Sequence, residues 1–166
     1  VDTLIVNAAE CEPYLTCDYR VMLERTDELV EGIKILSDCL GVKRTVVGIE
    51  ENKMEAFEKL SGYDGLELAL LEKKYPQGGE KQLIYACCKR EVPPKALPMD
   101  VGVVVQNVAT ALAVYEAVVK GKPLYERVVT VSGMGVANPK NLLVKNGTLY
   151  ADALESVSYT HLRAHE

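Results

Sequence analysis

The chain lacks any apolar run approaching the roughly 20 residues that a membrane-crossing helix needs. Its first residues also lack the basic, apolar and small-residue zones of a secretory signal. Neither a helical span nor such a signal is expected within it. Positive charge is scarce as well: 19 Lys and Arg stand against 24 Asp and Glu, for a net charge of −5. Sequence-independent nucleic-acid binding needs clustered cations to neutralise phosphates, so nucleic acid is not an expected partner. No C-x-x-C pair occurs. Cys11, Cys17, Cys39, Cys87 and Cys88 are odd in number and irregular in spacing, which argues against a disulfide framework and for a reducing compartment. The separation of Cys11 from Cys17 suits neither a zinc knuckle nor a ferredoxin-type ligand run. No metal ligands are therefore assigned, and these thiols are read as small buried hydrophobes. No initiator Met precedes Val1, and a strand pattern begins at once, so the chain is expected to be a fragment. Both histidines, His161 and His165, fall in 156–166, SVSYTHLRAHE. That segment breaks the preceding pattern and resembles vector or adaptor read-through; it is expected to be non-native, and its histidines are not read as ligands.

What is present suits one ordinary α/β domain: 166 residues, 48% hydrophobic and 26% charged. Thr3 to Val6 reads as a buried parallel strand, followed by the polar loop Asn7 to Thr16. From Asp18 the pattern is helical. Leu29, Ile33, Leu36 and Leu40 share a face, Asp27 and Glu28 suit a first turn, and Gly41 suits a stop. Thr45 to Ile49 predicts a second strand, Asn52 to about Leu60 a short helix, and Leu66 to Leu71 a third strand. The loop Lys73 to Glu80 leads into a helix over Gly79 to about Cys88. Pro93, Pro94 and Pro98 then forbid regular structure. The β-branched run Val101 to Val105 predicts a strand buried on both faces, and a helix carrying Val108, Leu112, Tyr115 and Val119 runs to Gly121. Strands alternating with helices predict an α/β fold: a mostly parallel sheet with helices on both faces. After Pro123 the grammar changes to short strands and hairpin turns, Val129 to Ser132, Leu142 to Lys145 and Asn146-Gly147. The expected units are therefore 1–123, 124–155 and the tail 156–166.

Three polar clusters follow strands. In Asn7-Ala8-Ala9-Glu10-Cys11-Glu12-Pro13, the two carboxylates are either a solvated acidic turn or groups held near a ligand by the Pro-restrained backbone. In Tyr75-Pro76-Gln77-Gly78-Gly79-Glu80, paired glycines precede a helix. They form either a plain turn or a close backbone approach to an anion at the helix start; the Lys-Ser/Thr ending of a Walker loop is missing. In Gln106-Asn107-Val108-Ala109-Thr110, Asn107 suits a helix cap. All three fall at the same end of one parallel sheet, where open α/β folds place a ligand crevice.

The segments NAAECEPYLTCDYRVM, KYPQGGEKQLIYA with REVPPKALPMDVGVVVQNVAT, and ERVVTVSGMGVANPKNLLVKNGT resemble consecutive blocks of RnfC, the NADH-oxidising subunit of Rnf-type ion-translocating electron transport complexes. They cover nearly the whole chain before the tail. More distantly, the layout is similar to the FMN-binding flavoprotein subunit of respiratory complex I, with its N-A-x-E-x-E-P loop and N-V-x-T junction. The resemblance implies an FMN site lined by Asn7, Glu10, Tyr75, Gly78, Asn107 and Thr110, with Glu12 and Glu80 on the NADH side. Ala9 departs from it, standing where the complex I subunit has Asp. The resemblance also implies 4Fe–4S clusters in the full-length parent only, and a β-grasp-like SLBB domain beginning after Pro123. The glycine-rich flavin loop of both families would precede Val1, so this piece is expected neither to bind FMN tightly nor to relay electrons. The implied activity is electron transfer between NADH and ferredoxin, coupled to Na⁺ or H⁺ movement. The implied partners are membrane subunits and a ferredoxin-interacting subunit, and the implied place is the cytoplasmic face of the bacterial inner membrane, peripherally held. Two other readings stay open: a soluble relative serving proline reductase or cobalamin reduction, and a non-redox SLBB-containing binding module.

Overall fold

The computed structural model describes residues 1–158; residues 159–166, with both histidines and most of the segment expected to be non-native, lie outside the described residues. The elements run β1 (Thr3–Ala8), α1 (Cys17–Glu24), α2 (Thr26–Leu40), β2 (Arg44–Glu50), α3 (Met54–Ser61), β3 (Glu67–Leu71), α4 (Glu80–Cys88), β4 (Val103–Asn107) and α5 (Val108–Lys120). They continue with β5 (Glu126–Val131), β6 (Lys140–Lys145) and the short α6 (Tyr150–Glu155).

β1 to β4 form one parallel sheet in the order β3-β2-β1-β4, with Val6 of β1 opposite Val47 of β2 and Gln106 of β4. Side chains alternate across a strand, so β1 feeds two cores. Leu4, Val6 and Ala8 pack with Val21, Met22, Leu29, Ile33, Leu60 and Ala111 under α1, α2, α3 and α5. Ile5 packs on the other face with Leu83 and Ile84 of α4. Helices thus cover both faces, as the alternating pattern predicts. Full burial of each such aliphatic side chain contributes about 1.5–3 kcal/mol.

Two glycines set how closely the layers approach. A Cβ at Gly32 of α2 would lie 2.0 Å from the carbonyl oxygen of Ala111 on α5. A Cβ at Gly48 of β2 would lie 2.9 Å from the Leu83 side chain of α4. Neither position has room for a side chain without movement of its neighbour.

The first turn expected at Asp27 and Glu28 is the start of α2; it is set off from α1 because Arg25 leaves helical geometry (φ −131°, ψ 39°) and the Thr26 hydroxyl donates to the Met22 carbonyl at 2.6 Å. Two other local expectations are corrected. The run Val101 to Val105 is not one strand buried on both faces. Val101 ends a 3-10 turn from Pro98, Gly102 turns the chain at φ 76°, and only Val103 of the following strand is fully buried. The reason is position: β4 is the edge of the sheet, so Val104 and Val105 are only half covered. Finally, the residues after β6 form a helix, α6, where the pattern predicts none. The chain after it packs back, with Val157 fully buried and its carbonyl accepting from the Asn138 amide at 3.2 Å.

β5 and β6 pair antiparallel, Val129 opposite Leu142, as a separate two-stranded sheet. This pair does not stand apart from the parallel sheet: Val128 packs against the core under α1 and α5.

Candidate functional site

The C-terminal ends of β1, β3 and β4 open into one cavity of about 380 Å³. Its lining includes Asn7, Glu10 and Glu12 after β1, Tyr75, Gly78 and Gly79 after β3, and Asn107 at the end of β4. The three polar clusters read from the sequence therefore meet. Thr110 and Glu80 stand beside the cavity rather than on its lining, in the first turns of α5 and α4. The Thr110 hydroxyl accepts from Arg127 at 3.3 Å, and the exposed Glu80 begins α4 directly after Gly79.

Asn7 ties the first two loops together. Its amide Nδ2 donates to the Gly78 carbonyl at 2.9 Å, and its Oδ1 accepts from the Ala9 amide at 3.2 Å. Gly78 approaches so closely that an added Cβ would meet the Cys11 sulfur at 3.1 Å and the Ala9 side chain at 3.6 Å. Backbone, not side chain, forms that wall. Asn107 does the same work for the third loop. Its Oδ1 caps α5 by accepting from the Ala109 amide at 2.8 Å, and its Nδ2 donates to Asp18 Oδ2 at 2.6 Å. An amide nitrogen carries two hydrogens, so each of these asparagines holds the scaffold with one and has a second to offer a ligand.

Glu10 is held in the left-handed region at φ 45°, an uncommon state for a residue with a side chain and one that concentrates at functional sites. Two sets of bonds keep it there. Its carboxylate accepts from the Asp18 amide at 2.7 Å and the Tyr19 amide at 3.2 Å, capping the start of α1. Its carbonyl accepts from the Lys53 ammonium at 3.3 Å. Lys53 is 6% exposed and also bonds the Ala9 carbonyl and Glu50 Oε2, the latter at 3.2 Å. A buried cation thus pins the loop between β1 and α1 from below.

Burial pushes the Glu10 carboxyl above its ordinary pKa, although the Asp18 amide bond pulls the other way. Burial pushes Asp18 up too, against the bond from Asn107 and the charges of Arg127 and Lys53. The Cys17 thiol is likewise raised by burial. A carboxylate oxygen of Glu10, one of Asp18 and the Cys17 sulfur lie within 4.8 Å of one another. At the cavity mouth the charge of Glu12 and then its hydrogen bond hold the exposed Tyr75 phenol above its ordinary value.

Sequence reasoning missed Cys17, Asp18 and Lys53. The first two lie in the block NAAECEPYLTCDYRVM, directly at a helix start, where an Asp is readily taken as a first-turn residue; its aim toward Asn107 is a tertiary fact. Lys53 had no signal, since a surface lysine and a buried one look alike in one sequence.

The family of the Nuo51 FMN-binding domain, Complex1_51K, matches residues 1–116. The chain is 49% identical over 158 residues to a subunit of the proton-translocating ferredoxin:NAD(+) oxidoreductase complex of Clostridium ljungdahlii, covering 93% of this chain and 35% of that protein. It is 48% identical over 151 residues to a subunit of the ion-translocating oxidoreductase complex of Rhodobacter capsulatus, covering 88% and 29%. Against a subunit of the Na(+)-translocating ferredoxin:NAD(+) oxidoreductase complex of Acetobacterium woodii it is 43% identical over 159 residues, covering 93% and 36%. The chain thus spans about a third of the length of these curated relatives. Among solved structures, an NAD+-reducing NiFe hydrogenase in the air-oxidized state superposes with a TM-score of 0.83 at 24% identity, over 96% of this chain and 33% of that one. At that identity the likeness speaks for the fold. With residues 1–116 matched and the cavity built where such a fold places its ligand, the chain belongs to the family of the Nuo51 FMN-binding domain.

Proposed function

We propose that this chain is the flavin-binding part of the electron-input subunit of an Rnf-type membrane complex, which moves electrons between NADH and ferredoxin and couples that to Na⁺ or H⁺ translocation. The observation that carries the proposal is the meeting of three loops, after β1, β3 and β4, on one cavity. Its volume lies in the range of about 300–1,000 Å³ that small-molecule pockets occupy. The donor set suits a flavin. Asn7 and Asn107 each present an amide hydrogen, Gly78 presents bare backbone, and Tyr75 presents a ring at the mouth. Glu10 and Thr110 complete the flavin side, and Glu12, exposed on the cavity lining, and Glu80, exposed beside it, are assigned to ribose hydroxyls or the nicotinamide amide of NADH.

When bound, FMN supplies hydride acceptance and one-electron release. The residues of this chain supply orientation and charge. Asn7 and Asn107 fix the two walls through Gly78 and Asp18. Glu10 and Asp18 can hold a proton on Oε or Oδ, because burial disfavours their charged forms. When ionised, they oppose negative charge on a reduced ring and so bear on its potential. Residues from 124 onward are assigned to the start of an SLBB, β-grasp-like domain. The 4Fe–4S clusters are assigned to parts of the full-length protein beyond this chain. In this reading the protein sits peripherally at the cytoplasmic face, beside membrane subunits and a ferredoxin-interacting subunit.

The test uses the full-length protein. Purified, it carries flavin absorbance that NADH bleaches, and Glu12→Ala weakens NADH more than FMN. A colourless protein, or unchanged NADH affinity in that variant, contradicts the proposal.

A further inference from the structure

The N-terminus of α1 is satisfied by two different parts of the chain. Glu10 takes the amides of Asp18 and Tyr19. The amides of Thr16 and Cys17, one turn position earlier, are not left to water or to the same loop: both donate to the Thr130 hydroxyl of β5, each at 3.1 Å. Thr130 in turn donates to Asn141 Oδ1 of β6 at 2.7 Å, and Asn141 Nδ2 donates to the Thr16 hydroxyl at 3.1 Å. This ring of bonds joins residues more than a hundred positions apart, |i−j| being 114 for Thr16 and Thr130. Next on the same strand, Arg127 donates to Thr110 at 3.3 Å and its charge favours the ionised form of Asp18. The strand is moored at its start, where Lys122 bridges Glu116 of α5 at 3.1 Å and Glu126 at 2.7 Å.

We propose that β5 is part of the flavin site, with Thr130 and Arg127 as positioning residues that fix the start of α1 and the Asp18–Asn107 pair against the cavity. The inference deepens the flavin reading above and depends on it. Its physical basis is that helix-start amides need partners, and here the partner that completes the set comes from the second sheet. Moving β5 therefore moves Cys17 and Asp18, both of which line the cavity. The antiparallel unit is then a structural lever on the flavin environment.

The test uses the full-length protein with Thr130→Val, Thr130→Ser, Arg127→Ala and Arg127→Lys. In the flavin-free protein, Thr130→Val speeds hydrogen exchange of the Thr16 and Cys17 amides by roughly threefold to tenfold, the scale of one lost hydrogen bond, while Thr130→Ser does not. In the flavin-loaded protein, Thr130→Val raises the FMN dissociation constant by a similar factor. Arg127→Ala lowers the flavin midpoint potential, and Arg127→Lys restores it. Unchanged exchange in Thr130→Val overturns the proposal. So does faster exchange with unchanged FMN affinity and potential, which would make the strand a scaffold only. A wild-type protein that takes up no flavin fails the flavin reading itself, and the proposal with it; that result is distinct from a loaded protein whose flavin ignores these substitutions.

Discussion

Asn107 and Asp18 meet at 2.6 Å across the mouth of two helices, with the Asn107 amide nitrogen donating to the carboxylate while its oxygen caps α5. One side chain therefore ends a strand, starts a helix and fixes the acid of another helix. Asn107→Ala is expected to cost about 0.5–2 kcal/mol, the usual value of a lost N-cap. Asn107→Asp keeps the cap but sets two carboxylates face to face. Its loss of stability in urea denaturation should be small in acid and grow as the pH rises.

The pH dependence of Glu10 and Asp18 has a definite sign. Burial raises both above their ordinary values, so the folded state holds protons that the unfolded chain has released. Their contribution favours folding below the ordinary carboxylate range and is lost as pH rises through the raised values. Glu67 acts oppositely, since its hydrogen bond from Arg44 holds it low; its contribution is lost as pH falls. The two senses separate by substitution. Plots of stability against pH for Glu10→Gln and Asp18→Asn should decline less than the parent plot as pH rises above the ordinary carboxylate range. Parallel plots would refute the assignment.

Lys53 and Glu50 form a pair with side chains 8% and 3% exposed, 3.2 Å apart. Removing one partner of such a pair leaves an uncompensated buried charge, at a cost of about 3–5 kcal/mol. Lys53→Met should destabilise by that order and also release the Ala9 and Glu10 carbonyls, whereas Lys53→Met with Glu50→Gln should recover part of the loss. Chemical denaturation of the two variants decides it.

Gly32→Ala tests the closeness of α2 and α5. The new methyl would overlap the Ala111 carbonyl, and the expected loss is at least the roughly 1–3 kcal/mol of an overpacked core. Gly62→Ala is the control. It sits at φ −76° with its nearest contact at 3.7 Å, and its melting temperature should hold or rise slightly.

Much of the fold was legible because its signals are local. β1 at the sheet centre reads as an apolar run, Gly41 stops α2 in the left-handed region at φ 61°, and Gly121 does so for α5 at φ 64°. The start of α2 was legible in the acidic first turn of Asp27 and Glu28, but the geometry of the break at Arg25 was not, since Arg itself fits a helix. Nor could Val101 to Val105 reveal that β4 is an edge, because strand order is a property of the whole sheet. At the site, Asn7, Glu10, Gly78 and Asn107 were readable from clusters that follow strands. Asp18, Lys53, Arg127 and Thr130 were not, since each acts through a partner distant in sequence.

Whether the three loops bind one flavin together is decided by FMN titration of the full-length protein followed by hydrogen-exchange footprinting. A shared flavin site gives simultaneous protection of the segments 7–12, 75–79 and 107–110, with one dissociation constant. Protection of one loop alone, or of none of the three, would contradict it.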